Sequence, residues 1–182
     1  MSGVEFTVGD ILAVAADAIV RDATGGPAFL RAAGPAARDA CAAIGRWPSG
    51  TAVITCAGRL RARYAIHALP PAAVRRPAEA RRLFRVYACA LELGRQRGLR
   101  SIAFPPLGVS AADAASRTLC AKIALAAVRE HRARPTPLPG AMPSGPAAPE
   151  RIIFVFAGHV ERDAFAVEAA RVDRRADPSQ KN

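Results

Sequence analysis

Apolar residues recur along this chain in two rhythms. Residues 4–8, 18–20, 52–56, 63–67, 101–104 and 152–156 are short runs rich in Val, Ile and Phe, bounded by turn-forming residues. Such runs predict six β-strands. Between or after them lie Ala-rich stretches with helical periodicity at 27–44, 78–97, 111–131 and 161–172, which predict helices. In the second of these, Leu83, Val86, Tyr87, Ala90, Leu91 and Gly94 fall at three-and-four spacing while Arg81, Arg82, Arg85, Arg95 and Arg97 fall elsewhere. One face is therefore expected to pack and the other to meet water. Gly98 follows as the expected left-handed stop.

Short strands alternating with helices, some as continuously apolar as Ile152-Ile153-Phe154-Val155-Phe156, imply a sheet covered on both faces. The expected fold is α/β, a three-layer α/β/α sandwich around a mixed, mostly parallel sheet of about six strands. Ligands of such sheets bind beyond the carboxyl ends of the strands. Residues 1–173 are read as one domain. Within it, 132–149 carries Pro135, Pro137, Pro139, Pro143, Pro146 and Pro149, an inserted loop that can neither continue a helix nor pair in a sheet. Residues 174–182 are polar, without apolar periodicity, and are read as a flexible tail.

Composition changes this picture in three places. With 182 residues, 51% of them hydrophobic, the chain can bury a real core. It has no apolar run of the roughly 20 residues a bilayer crossing needs, and its first ten residues lack the pattern of a signal peptide. A cytoplasmic protein without membrane contact is expected. Cys41, Cys56, Cys89 and Cys120, like His67, His131 and His159, are scattered, so buried free thiols are expected and neither a metal nor a cofactor is. The net charge is +11, and residues 59–100 hold eleven Arg against Glu79 and Glu92. Such an excess suits a nucleic-acid partner. It is also what GC-rich coding produces, given that Lys occurs only at Lys122 and Lys181.

The strand ends supply the motifs: VGDI at 8–11, DAIV at 17–20, LRAAGP at 30–35, WPSGTAVIT at 47–55, RYAIHALPP at 63–71, SIAFPPLG at 101–108 and RIIFVF at 151–156. In order and spacing they resemble the macro domain family, whose members bind ADP-ribose and related nucleotides and sometimes hydrolyse ADP-ribosyl bonds. The resemblance covers nearly the whole chain, from Phe6 to Val172.

It implies a ligand-binding set of Asp10, Ile11, Thr24, Gly25, Gly26, Gly108, Val109, Ser110 and Phe156. Asp10 matches the acid whose carboxylate accepts from the adenine amino group; Asp there is equally suited to cap a helix. Phe156 matches the aromatic that lies against adenine, or it is an ordinary core residue. Three departures stand out. Arg21-Asp22-Ala23-Thr24 replaces the family's Asn-Ala-Ala-Asn, putting a hydroxyl where an amide holds the distal ribose. Only Gly25-Gly26-Pro27 remains of a long Gly-rich loop, leaving one anion site at a following helix. The second phosphate loop shrinks to Gly108-Val109-Ser110, a small anion nest or a plain turn capped by Ser110.

His67 is read as structural, and Trp47 as a cover for the sheet edge. The catalytic equipment looks incomplete: Asp22 is a base only if it points into the cleft, and Thr24 and Ser110 have no His or Lys beside them in sequence. Binding of an ADP-ribose-like ligand, or of an ADP-ribosylated macromolecule, without strong catalysis is the function expected. The alternatives are an ADP-ribosyl hydrolase and a basic module for RNA or protein.

Overall fold

The computed structural model describes residues 3–109, 113–133 and 149–176. Its strands are β1 (Val4–Val8), β2 (Ala18–Asp22), β3 (Ala52–Cys56), β4 (Tyr64–Ala68), β5 (Ser101–Phe104) and β6 (Arg151–Phe156). They form one sheet in the order β1-β6-β5-β2-β4-β3. Every pair is parallel except β3 with β4, the mixed and mostly parallel sheet that the strand–helix alternation implies.

The helices are α1 (Ala28–Ala33), α2 (Pro35–Ile44), α3 (Pro77–Gln96), α4 (Ala114–Ala133) and α5 (His159–Ala176). Alternation along the central strands feeds two cores. Val20, Ile66, Phe104, Phe154 and Phe156 point to one face, where they meet Leu83, Tyr87, Leu125 and Phe165 of α3, α4 and α5. Ile19, Ala65, Ala103, Ile153 and Val155 point to the other, against Phe29, Ala33 and Ala37 of α1 and α2. The sandwich has three layers.

The α3 face expected from periodicity, Leu83 to Gly94, is the one buried, and Gly98 closes the helix at φ +61°. The stretch 27–44 is two helices rather than one. Gly34, at φ +82°, ends α1 by donating to Leu30 O at 3.1 Å, and Pro35, lacking an N–H, opens α2. Helix α5 begins before residue 161 and continues through Ala176, past the expected domain end at 173. The prolines from Pro135 to Pro146, and residues 177–182 of the tail, lie outside the described residues.

One tie between strands is polar. Asp17 Oδ2 accepts from the backbone N–H groups of Arg100 and Ser101 at 2.9 Å each and from Ser101 Oγ at 3.1 Å. Ser101 Oγ in turn accepts from Asp17 N at 2.9 Å. The start of β2 is thereby locked to the start of β5. Among the described residues no helix is long and apolar enough to cross a membrane.

Candidate functional site

Because β1, β6, β5 and β2 run parallel, their carboxyl ends share one edge of the sheet. Strands sit about 4.8 Å apart, so β1 and β2, three steps from each other, bracket about 14 Å of rim. Asp10 follows β1, Ala157 and Gly158 follow β6, Leu107 to Val109 lie in the turn after β5, and Thr24 to Gly26 follow β2.

At the β1 end, Asp10 is exposed and its Oδ1 accepts from Leu12 N at 2.9 Å, capping the single 3₁₀ turn Ile11–Ala13. Capping uses one oxygen of two. Ile11 is half-buried against the α1/α2 core.

Phe156 requires a correction. Its ring is fully buried in the core, edge-on to Phe165 with centroids 5.0 Å apart and 6.4 Å from Phe6. Alternation sends the side chain under α5, so it offers no face to an adenine. Ala157, His159 and Val160 are exposed at this end.

At the β2 end, Asp22 Oδ1 accepts from Thr24 N at 2.8 Å and from Thr24 Oγ1 at 2.6 Å, a side-chain-closed turn. Gly25 N donates back to Asp22 O at 3.0 Å. The amides of Thr24 and Gly25 are thus satisfied within the turn. Helix α1 has only six residues and is preceded by Pro27 at its cap. An anion site on this helix start, expected from Gly25-Gly26-Pro27, is therefore not built; Gly26 is exposed and adjoins the turn.

The β5 turn is held from below by two contacts that sequence does not reveal. The hydroxyl of fully buried Tyr87, on α3, accepts from Leu107 N at 3.0 Å, and burial pushes its pKa far above the usual phenol range. Cys120, on α4, donates to Gly108 O at 3.3 Å. Gly108 itself has φ +71°, and a Cβ there would press on Leu83 at 3.1 Å, so this tight turn requires glycine. Val109 is half-buried beside it. Ser110 lies outside the described residues.

Beneath the β2 turn runs a buried network. Arg21 Nη1 lies 3.4 Å from His67 Nδ1, and His67 Nε2 lies 2.8 Å from Thr55 Oγ1. A guanidinium only donates, so Nδ1 accepts and Nε2–H donates. The Thr55 hydroxyl then passes its own proton toward Cys56 O at 2.9 Å. Burial, with the Arg21 charge second, lowers the His67 pKa to about 4. Cys41 Sγ is 3.5 Å from Nε2, but Nε2 carries a proton in this arrangement and is no base for it. Burial raises the Cys41 pKa despite Arg21. His67 is structural, and Arg21 adds a cation–π contact with Phe29 at 4.9 Å. Trp47 is half-buried, edge-on to His67 at 6.5 Å.

All four cysteines are free thiols; Cys120 is buried, while Cys56, on the edge strand β3, is exposed rather than buried. Among the described residues no group of three or more His, Cys, Asp and Glu is arranged to hold a metal.

The sequence model of the Macro domain matches residues 15–124. An O-acetyl-ADP-ribose deacetylase from Citrobacter rodentium is 37% identical over 162 residues, 81% of this chain and 84% of that protein. An ADP-ribose glycohydrolase from Mus musculus is 36% identical over 132 residues, 67% of this chain but 41% of that longer protein. Among solved structures, the Oceanobacillus iheyensis macrodomain mutant D40A superposes with a TM-score of 0.75 at 22% identity, covering 93% of this chain and 92% of that one. The Trypanosoma brucei macrodomain in complex with ADP-ribose gives 0.73 at 23% identity, covering 92% and 69%.

Proposed function

This chain belongs to the macro domain family, and from that premise we propose that it binds ADP-ribose or a closely related adenine nucleotide along the rim from Asp10 to Thr24. The observation that supports this reading is spatial. An exposed carboxylate after β1, a glycine turn after β5 and a hydroxyl-bearing turn after β2 stand on one sheet edge across about 14 Å. That span suits an extended ligand with a purine at one end, phosphates in the middle and a second sugar at the other. Asp10 Oδ2 takes the adenine amino group, the Gly108–Val109 turn faces the phosphates, and Thr24 with Gly25 and Gly26 meets the distal ribose. Ile11 walls the purine; with Phe156 inside the core, adenine stacking falls to no aromatic at that position.

Calorimetric titration with ADP-ribose, ADP and AMP tests the reading. Binding in that order of strength is expected; no heat with any of the three at millimolar ligand would overturn it. Asp10→Asn separates the ligand role from the cap, because Asn caps as well as Asp but presents a neutral acceptor. A loss of about tenfold in ADP-ribose affinity is expected, the worth of one charge-assisted bond.

A second reading, hydrolysis of an ADP-ribosyl or ribose ester bond, is favoured by one observation: the Thr24 hydroxyl donates to Asp22 at 2.6 Å. That leaves the Thr24 oxygen as an acceptor at the rim and puts a carboxylate where a ribose-bound water would need a base. The names of the two relatives agree with such chemistry. Release of acetate from O-acetyl-ADP-ribose, or of ADP-ribose from a modified protein, is expected to be lost in Asp22→Ala and Thr24→Ala. Binding without release of either product would exclude it.

A further inference from the structure

A concavity of about 610 Å³ opens at the carboxyl end of β4, lined by Ser49, Leu69, Pro71, Arg75, Arg76 and Arg82 among its residues. It adjoins the β2 turn, since Ala68, the residue before Leu69, accepts from Ala23 N at 2.7 Å. Arg82 is fixed in its wall: the Arg82 stem packs over Gly50, where an added Cβ would lie 3.4 Å from the Arg82 Cβ. Gly50 N donates to Leu69 O at 2.9 Å.

Arg81 and Arg85 extend this surface along the exposed side of α3. From Arg76 to Arg85 the helix rises about 14 Å. None of these five arginines forms an ion pair among the described residues. The one acid in the concavity, Glu79, accepts from the backbone N–H groups of Arg75 and Arg76 at 2.7 and 2.9 Å. It already caps α3, so attraction here comes from side chains and not from the helix end.

A single small anion needs one guanidinium fork. Five guanidiniums over such a length, two of them beside the Glu79 carboxylate, fit a chain bearing a charge at every repeat. Nucleic acid has one in each nucleotide, whereas a peptide has it only where its sequence is acidic. A second observation favours bases. Trp47 lines an adjoining hollow of about 330 Å³ with Ala23, Arg46 and Leu69, and its indole N–H is buried without an acceptor. A base stacked on the indole face suits that hollow, and the buried N–H takes no part in it.

We infer that this surface binds the backbone of single-stranded nucleic acid, phosphates on Arg75, Arg76, Arg81, Arg82 and Arg85 and a base against Trp47. Its meaning for the rim rests on the nucleotide reading, under which a strand held here brings its modified end to Thr24; binding of the strand does not.

The test is fluorescence anisotropy of a short labelled single-stranded RNA titrated with the full chain over a range of sodium chloride. In Arg75→Gln/Arg76→Gln/Arg82→Gln, affinity falls more than tenfold and the slope of log K against log salt shrinks by about 2, near 0.7 for each lost phosphate contact. Trp47→Phe keeps the stack and binds within about threefold of the parent, while Trp47→Ala weakens binding about tenfold at unchanged salt slope. Equal binding by the triple variant overturns the inference, as does equally tight competition by poly-glutamate, which would assign the surface to an acidic protein. ADP-ribose titration of the same triple variant is expected to be unchanged. Loss of nucleotide binding in the parent chain with RNA binding retained would sink only the rim reading.

Discussion

His67 shows how one side chain constrains the rim above it. Its pKa of about 4 lies below the unfolded value of 6.5 because burial disfavours the cation and Arg21 opposes it. The unfolded chain therefore takes up the proton first. The stability this neutral imidazole carries is complete above pH 6.5 and is lost as pH falls toward 4, up to roughly 3 kcal/mol at 1.36 kcal/mol per unit. Urea unfolding at pH 7.5 and pH 4.5 measures this, and His67→Gln is expected to flatten that part of the pH dependence. Tyr87 works at the same scale. Tyr87→Phe keeps the ring among Phe104 and Phe154 but strips the buried Leu107 N–H of its acceptor, at a cost of about 1–3 kcal/mol. If the β5 turn positions phosphates, ADP-ribose affinity falls with it; stability lost with affinity intact would separate this turn from the ligand.

At the scale of elements, much of the fold was legible. Strands β1, β3 and β5 begin and end where the apolar runs and their breakers say, because turn chemistry punctuates them on both sides. The Ala-rich period from 27 to 44 runs on through Gly34-Pro35, and pattern alone misses the break that this dipeptide makes. Sequence leaves Phe156 open between ligand contact and core because β6 is apolar on both faces, so alternation cannot tell which side meets the ligand. The Asp22–Thr24 turn follows from local chemistry, but Tyr87 with Leu107 and Asp17 with Ser101 join residues far apart in sequence, and nothing in either segment announces the partner. Asp17→Ala is expected to cost about 2 kcal/mol, since it orphans two backbone N–H groups at the β2–β5 seam. Gly58→Ala is expected to cost more than about 2 kcal/mol: φ is +62° and the new Cβ would lie 2.0 Å from Ala33 O. Thermal unfolding of the two variants checks both values.

For the molecule as a whole, parallel pairing puts the β1, β6, β5 and β2 ends together on one rim. On that rim stand Asp10, the Gly108 turn and the Asp22–Thr24 turn, the set on which the proposed nucleotide binding rests. Amide chemical-shift mapping by NMR, with ADP-ribose added to the labelled chain, tests this most directly. The account predicts perturbations concentrated at Gly9 to Ile11, Thr24 to Gly26 and Leu107 to Val109, with little change along the α4–α5 groove around Lys122, Arg129 and Arg171. Shifts confined to that groove, or none at saturating ligand, would contradict it.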